Sequence, residues 1–251
     1  LVAAVKRGDV AVATIDKAVR RILSLKFQMG LFDDPFVDEK QAAQLVASSE
    51  HTGLAREVAR QSIVLLKNKD KLLPLKKDIR TLAVIGPNAD NVYNMLGDYT
   101  APQADGTVVT VLDGIRQKVS KGTRVLYAKG CAVRDSSRTG FKDAIETARN
   151  ADAVVMVMGG SSARDFSSEY EETGAAKVTI NQISDMESGE GYDRATLHLM
   201  GRQLELLEEI SRLGKPVVLV LIKGRPLLME GAIQEAEAIV DAWYPGMQGG
   251  N

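Results

Sequence analysis

The chain has 251 residues, which is enough to bury a full hydrophobic core in one large domain or two small ones. Its 32 Lys and Arg residues nearly balance its 33 Asp and Glu residues, so no overall basic field would attract nucleic acid or an anionic membrane. Apolar residues make up 45% of the chain, but no apolar run approaches the ~20 residues of a membrane-spanning helix. We therefore expect a partner that is neither nucleic acid nor a lipid bilayer.

The cysteine and histidine content argues against metal chemistry. The single cysteine, Cys131, excludes an internal disulfide and any zinc site built from several cysteines. The two histidines, His51 and His198, are not spaced as metal ligands, and we predict no metal site and no cofactor. The first residues, LVAAVKRGDV, lack the basic-then-apolar order of a signal peptide, and we expect the chain to be a piece of a longer polypeptide.

The first part of the chain reads as two helices around a connection. Apolar residues follow helical spacing over 14–29, with Thr14 as the expected N-cap and Gly30 as the residue after the helix. Residues 31–48 break this period with paired acids and a proline, which predicts a linker or an extended connection. A second helix is expected over about 52–66. We place the domain boundary so that 1–48 and 49–251 are separate parts.

Beyond Arg80, short apolar runs alternate with amphipathic segments. The predicted strands are 81–86, 124–130, 153–160, 216–224 and 238–246, and the predicted helices are 110–120, 138–150, 201–213 and 226–234. Alternation of helices with nearly continuous apolar strands predicts an α/β fold, a three-layer sandwich whose mostly parallel sheet is covered on both faces. Ligands of such sheets collect at the carboxyl ends of the strands.

The most informative segment is 188–203, SGEGYDRATLHLMGRQ, which places Glu190 between two glycines. Glycines on both sides allow positive φ and keep bulk away from the carboxylate. The segment follows the strand that ends at Gly160, so it belongs to the ligand-binding edge of the sheet. From spacing alone, a solvated glutamate in a mobile loop remains the alternative to an acid that contacts a ligand.

Other motifs have simpler interpretations. The turn GPNAD at 86–90 lacks both GxGxxG and the Walker lysine, and the turn GGSS at 159–162 has no diagnostic partner, so both are interpreted as structural turns. An acidic cluster could hold a cation but lacks the EF-hand register, which favours a solvated or partner-facing loop. Its members are Asp165, Glu169, Glu171 and Glu172.

Three segments together resemble the second domain of glycoside hydrolase family 3, the β-glucosidase and β-xylosidase group. They are SGEGYDR with the following Gly-x-Gln, the GPNAD turn, and WYPGMQGG at 243–250. The resemblance covers essentially the whole chain. It implies that residues 1–30 are the last helix of a TIM-barrel domain, 31–48 the interdomain linker, and 49–251 most of the α/β sandwich domain. Met200 stands where members of the family often have proline.

The resemblance implies a fragment of a retaining exo-β-glycosidase that removes terminal β-linked glucose or xylose from oligosaccharides or from aryl and alkyl β-glycosides. Such enzymes need a nucleophile and an acid/base. Glu190 matches the acid/base, and Tyr192, Asp193 and Arg194 complete the motif as candidates for substrate binding. The nucleophile belongs to the barrel domain, so Asp185 is rejected for that role even though it stands in a Ser-Asp pair.

Further expectations follow from the resemblance. The partner is a barrel domain of the same polypeptide, the location is periplasmic or secreted, and the isolated chain should hardly catalyse. Arg194 has two interpretations, orienting a carboxylate or anchoring the loop through an ion pair with Asp193 or another acid; Tyr192 either lines an aglycone site or packs. The rival class is a non-catalytic α/β module that binds a nucleotide or partner through the glycine turns at 86 and 159. A third possibility is a mainly structural partner of the barrel.

Overall fold

A computed structural model describes residues 1–164 and 185–251. The acidic cluster of Asp165, Glu169, Glu171 and Glu172, and Ser184 of the Ser-Asp pair, lie outside the described residues. The chain forms two compact units, Leu1–His51 and Thr52–Asn251, each of which is described by itself. Across the described residues, no helix combines the length and the apolar character that crossing a membrane requires.

The first unit is helical. It contains α1 (Val2–Lys6), α2 (Val12–Gln28) and α3 (Glu39–Leu45), and α4 (Ser49–Ser62) begins near its end. None of the residues of α1, α2 and α3 is buried, and the apolar face of α2 is exposed, with Ile22 at 60% and Phe27 at 66%. This unit therefore presents apolar surface that calls for a packing partner.

Two predictions about this unit need correction. Helix α2 begins after Ala11, so Thr14 lies in its first turn and is not the N-cap, whereas Gly30 follows the helix with φ +70° as predicted. The segment predicted as a linker contains α3, because the Asp38 carboxylate accepts hydrogen bonds from the backbone N–H groups of Lys40 and Gln41. This cap precedes a run of good helix formers, EKQAAQL, and together they start a short helix.

The second unit is built on a six-stranded sheet. The strands are β1 (Val64–Asn68), β2 (Thr81–Ile85), β3 (Arg124–Ala128), β4 (Ala153–Gly159), β5 (Val217–Ile222) and β6 (Ala238–Trp243). The helices between them are α5 (Val92–Leu96), α6 (Val111–Lys118), α7 (Phe141–Arg149), α8 (Gln203–Ser211) and α9 (Ala232–Glu235). The strand order is β1-β6-β5-β4-β2-β3, antiparallel only between β1 and β6. The predicted mostly parallel α/β sandwich is confirmed.

Strand β1 corrects the second helix prediction. The helix expected over 52–66 ends at Ser62, and the apolar run that follows it pairs with β6, with Val64 opposite Asp241 and Leu65 opposite Val240. Apolar spacing alone suits either structure over so short a run. The edge of β6 offers backbone hydrogen-bond partners, and β-branched side chains favour extended backbone, so this run forms a strand.

The sheet is covered on both faces. Side chains alternate along β2, so that Ala83 and Ile85 join one apolar cluster with α7 and α8, and Leu82 and Val84 join the other with α5 and α6. Strands β2 and β4 end at glycines that the neighbouring backbone crowds: a Cβ would lie 2.1 Å from the Val157 oxygen at Gly86 and 1.9 Å from the Ile222 oxygen at Gly159. These close approaches give both glycines a structural reason to be there, and the chain leaves the sheet just beyond them.

Candidate active site

Buried amides join the carboxyl ends of three strands. Asn88, which is 0% exposed, donates through Nδ2 to the carbonyl oxygens of Gly160 at 3.1 Å and Ile222 at 3.3 Å. The amide of Asn94 donates to Asn88 Oδ1 at 2.7 Å, and the Ser161 hydroxyl donates to Asn94 Oδ1 at 2.6 Å. A shared network of buried hydrogen bonds, in which these amides have partners, therefore connects the loops after β2 and β4.

Glu190 lies at the tip of a tight hairpin on this edge. Gly189 and Tyr192 form an antiparallel bridge, and the backbone N–H of Tyr192 donates to the Gly189 oxygen at 3.2 Å. Gly189 has φ +127° and Gly191 has φ +80°, conformations that side-chain-bearing residues rarely adopt. The expected positive φ on both sides of the acid is confirmed, and it explains why glycines flank it.

The Glu190 side chain is 46% exposed and has two hydrogen-bond donors on one oxygen. The Tyr99 hydroxyl donates to Oε2 at 3.0 Å, and Arg164 Nη2 donates to the same atom at 3.2 Å. The hydrogen bond to the Glu190 carboxylate raises the pKa of the Tyr99 phenol, and desolvation adds to the effect. The carboxylate is thus half-exposed, and specific neighbours hold it.

Arg164 connects Glu190 to the carboxylate of Asp98, which lies just after α5. Its Nε donates to Asp98 Oδ1 at 3.0 Å, and its Nη2 lies 3.4 Å from Asp98 Oδ2. The Arg164 side chain is 13% exposed and that of Asp98 is 8% exposed. The Asp98 backbone N–H in turn donates to Ser162 Oγ at 3.1 Å, so the pair is fastened to the loop after β4 as well.

The three other motif residues have different surroundings. Arg194 is buried in an ion pair with Glu187, at 2.8 Å from Nη1 to Oε2, with side chains 2% and 1% exposed. Asp193 is exposed and pairs with Arg225 at 3.1 Å, while Tyr192 is half-buried. Of the two interpretations of Arg194, the geometry favours anchoring of the loop through an acid other than Asp193.

Asp185 also has a structural role. Its Oδ1 accepts hydrogen bonds from the backbone N–H groups of Val133 at 2.9 Å and Arg134 at 3.3 Å. This arrangement joins the chain before the Glu190 hairpin to the loop after β3. The nearby Cys131 thiol is buried, and burial raises its pKa to about 12, so it is not a reactive nucleophile at neutral pH.

A buried ion pair on the same sheet edge was not foreseen. Lys223 Nζ lies 2.6 Å from Asp241 Oδ2, with side chains 4% and 7% exposed, and 4.0 Å from the centre of the Trp243 ring. Trp243 has a φ of +55°, which a bulky residue adopts only when its surroundings enforce it. The pair therefore orients the one tryptophan of the chain.

Sequence reasoning missed Asp98, Tyr99, Arg164 and Glu187. A signal existed for the first two, because they follow Gly97 in the connection between β2 and β3, just after α5. In the described ranges 1–164 and 185–251, no group of three or more His, Cys, Asp or Glu residues is arranged to hold a metal ion.

The comparison with known proteins identifies the family. The family model for the glycosyl hydrolase family 3 C-terminal domain matches residues 63–251, and the chain belongs to glycoside hydrolase family 3. It is 39% identical to a beta-xylosidase of Formosa agariphila over 94% of this chain and 30% of that protein. It is 34% identical to the periplasmic beta-glucosidase of Salmonella typhimurium over 98% of this chain and 32% of that protein.

Solved structures agree with this assignment. A beta-glucosidase from Listeria innocua in complex with glucose superposes with a TM-score of 0.76 at 27% identity, over 99% of this chain and 30% of that one. A beta-glucosidase from intestinal bacteria that is involved in saponin metabolism superposes with a TM-score of 0.79 at 30% identity, over 99% of this chain and 37% of that one. The chain therefore spans about a third of the length of the relatives it matches.

Proposed function

We propose that this chain is part of a retaining exo-β-glycosidase that removes terminal β-linked glucose or xylose, and that Glu190 is its acid/base. The observation that carries the proposal is the presentation of Glu190: its carboxylate stands at the tip of a two-glycine hairpin on the ligand-binding edge, 46% exposed and held by two donors. Membership of the family and the names of its relatives support the glycosidase class.

A retaining mechanism needs a second carboxylate about 5–5.5 Å from the acid/base. We propose that this nucleophile lies in a barrel domain of the same polypeptide, which precedes the sandwich of residues 49–251 and ends in residues 1–48. The exposed apolar face of α2 and the fraction of each relative that the chain covers support a packing partner of this kind. On this account the isolated chain should hardly catalyse.

The roles of the other motif residues follow from their contacts. Arg194 fixes the base of the hairpin through buried Glu187 and is proposed to support substrate binding indirectly. Tyr192 and Asp193, which flank the exposed side of the hairpin, are proposed to contact an oligosaccharide or the aglycone of an aryl or alkyl β-glycoside. The periplasmic relative supports a periplasmic or secreted location.

The structure gives little support to the nucleotide-binding alternative. The backbone of neighbouring strands occupies the space that a Cβ at Gly86 or Gly159 would need, so these glycines serve strand packing. A phosphate-binding loop instead uses glycines to bring its own backbone N–H groups to the ligand. The carboxyl edge presents the half-exposed Glu190 carboxylate, which suits a neutral sugar better than a phosphate.

Azide rescue tests the proposal. In the complete enzyme, Glu190→Ala should still be glycosylated by a substrate with an activated leaving group, but lacks the base that activates water in the second step. Sodium azide is an anionic nucleophile that needs no base, so it should raise kcat of the variant and release a β-configured glycosyl azide. The exposed Glu230→Ala variant is the matched control and should show no response to azide. Absence of rescue, or an α-configured azide, would contradict the assignment.

A further inference from the structure

We infer that Arg164, held by Asp98, is a positioning residue that fixes the Glu190 carboxylate and gives its two oxygens different tasks. The inference rests on the proposed acid/base role of Glu190 and goes beyond it. It concerns a residue outside the SGEGYDR motif, and it assigns the transferred proton to one atom.

Arg164 is held in a fixed orientation. Its guanidinium is engaged by both oxygens of Asp98, and both side chains are largely withdrawn from water. Charge-assisted pairs with this two-point geometry restrict orientation as well as distance. Because Asp98 is itself tied to Ser162, the guanidinium sits on a frame that joins the segment after α5 to the loop after β4.

Arg164 also contacts Glu190 directly. Nη2 donates to the Glu190 carbonyl oxygen at 2.8 Å and to its carboxylate Oε2 at 3.2 Å. One nitrogen therefore holds both the backbone and the side chain of the same residue. An exposed glutamate on a glycine hairpin would otherwise sample several rotamers, and each rotamer places its carboxylate in a different position.

The two carboxylate oxygens of Glu190 have different neighbours. Oε2 accepts from Arg164 and from the Tyr99 hydroxyl. A proton on that atom would either face a guanidinium that cannot accept it or require the Tyr99 hydroxyl to give up its donated hydrogen bond and accept instead. Oε1 is engaged by neither residue. The proton that Glu190 transfers therefore resides on Oε1, and Oε2 remains the acceptor throughout the cycle.

Both half-reactions can proceed with the proton on Oε1 of Glu190. In the first half-reaction the Oε1–H bond breaks and the proton moves to the glycosidic oxygen. The bond from that oxygen to the anomeric carbon breaks at the same time and leaves its electron pair on the departing oxygen, while the proposed nucleophile carboxylate bonds to the anomeric carbon. Glu190 becomes a carboxylate that faces the Arg164 guanidinium. In the second half-reaction Oε1 takes a proton from water as the water oxygen bonds to the anomeric carbon, and the bond from that carbon to the nucleophile carboxylate breaks and returns its electron pair to the nucleophile.

A double-mutant cycle in the complete enzyme tests the inference. The variants are Arg164→Met, Glu190→Ala and the combination, and the measurement is kcat/KM on aryl β-glycosides with good and poor leaving groups. Loss of a hydrogen bond to a charged group should make Arg164→Met roughly 10- to 100-fold slower on the poor leaving group. The loss on the good leaving group should be much smaller, because that substrate needs little protonation. In the Glu190→Ala background, Arg164→Met should change neither rate by more than about twofold.

Two further variants separate positioning from folding. Arg164→Lys keeps a donor and should recover part of the rate on the poor leaving group, whereas a merely misfolded Arg164→Met protein would lose both substrates equally. Arg138→Met removes a half-exposed arginine that pairs with Glu205 on α8, and it should leave both rates nearly unchanged. The cycle thus reports on the contact with Glu190 and not on loss of any arginine.

The outcomes distinguish the inference from the proposed function. If Arg164→Met costs as much without the Glu190 carboxylate as with it, Arg164 does not act through Glu190, and the inference is overturned while the acid/base assignment stands. Equal losses on the two substrates overturn the inference in the same way. If Glu190→Ala itself shows no dependence on the leaving group, the acid/base assignment fails, and the inference fails with it.

Discussion

Replacing Glu190 with Gln in the complete enzyme should slow hydrolysis of β-glycosides with poor leaving groups by about 10²- to 10⁴-fold, the usual contribution of a general acid. The amide keeps the size of the side chain but has no proton of suitable acidity to give. Activated aryl glycosides leave as stable anions without protonation, so their glycosylation should be slowed far less. The check is a series of aryl β-glycosides of increasing leaving-group pKa, with kcat/KM measured for wild type and variant.

The decisive result is how the loss of kcat/KM changes with the leaving group, and not the size of the loss on any one substrate. In the wild-type enzyme, protonation by the acid keeps kcat/KM similar for different leaving groups. In Glu190→Gln the logarithm of kcat/KM should fall steeply as the leaving group becomes more basic. Glu230→Gln, an equally conservative change of an exposed carboxylate, serves as the control. A uniform loss across the series would assign Glu190 to binding or structure, and no loss would remove it from the site.

Replacing Arg194 with Met should destabilise the sandwich unit by about 3–5 kcal/mol, which is what the loss of one partner from a buried ion pair costs. The Glu187 carboxylate would remain buried at 1% exposure beside Gly160, where a Cβ would lie only 2.0 Å from its Oε1. Urea unfolding followed by Trp243 fluorescence measures the effect, because the chain has one tryptophan and it lies in this unit.

Two comparisons make this stability prediction specific. Arg212→Met removes an arginine that is 71% exposed and 3.6 Å from Glu208, and it should cost no more than about 1 kcal/mol. Changing both Glu187 and Arg194 to Met should recover much of the loss, since two apolar side chains leave no unpaired charge in the interior. A loss of less than about 1 kcal/mol for Arg194→Met alone would show that water reaches Glu187 and that the pair does not anchor the loop.

Most of the sheet could be predicted from the sequence because four of its strands, β2, β4, β5 and β6, are buried along nearly their whole length. A strand of that kind must be apolar almost throughout, as the run 153–159 shows, and such runs are visible without any tertiary information. Strand β1 is different. It lies at an edge, and its apolar run continues the spacing of α4, so only its partner β6 distinguishes strand from helix.

The site was only partly predictable for a related reason. Local backbone requirements can be read from the sequence, and the glycines on both sides of Glu190 indicated positive φ, which Gly189 and Gly191 adopt. The neighbours of Glu190 come from elsewhere: Asp98 lies 66 residues from Arg164, and Tyr99 lies 91 residues from Glu190. No spacing rule connects such residues, because the order of the strands in the sheet brings them together.

The central claim is that Glu190 delivers the proton to the glycosidic oxygen, and a crystal structure of the complete enzyme with a thio-linked, non-hydrolysable disaccharide tests it most directly. The measured quantity is the distance from each Glu190 carboxylate oxygen to the interglycosidic sulfur. We predict Oε1 within hydrogen-bonding reach of the sulfur, a few tenths of an ångström beyond the about 2.6–3.2 Å of an oxygen–oxygen contact because sulfur is larger, with a second carboxylate about 5–5.5 Å from Glu190 on the opposite side of the anomeric carbon. A structure in which another acid occupies that place, with Glu190 out of reach of the sulfur, would contradict the account.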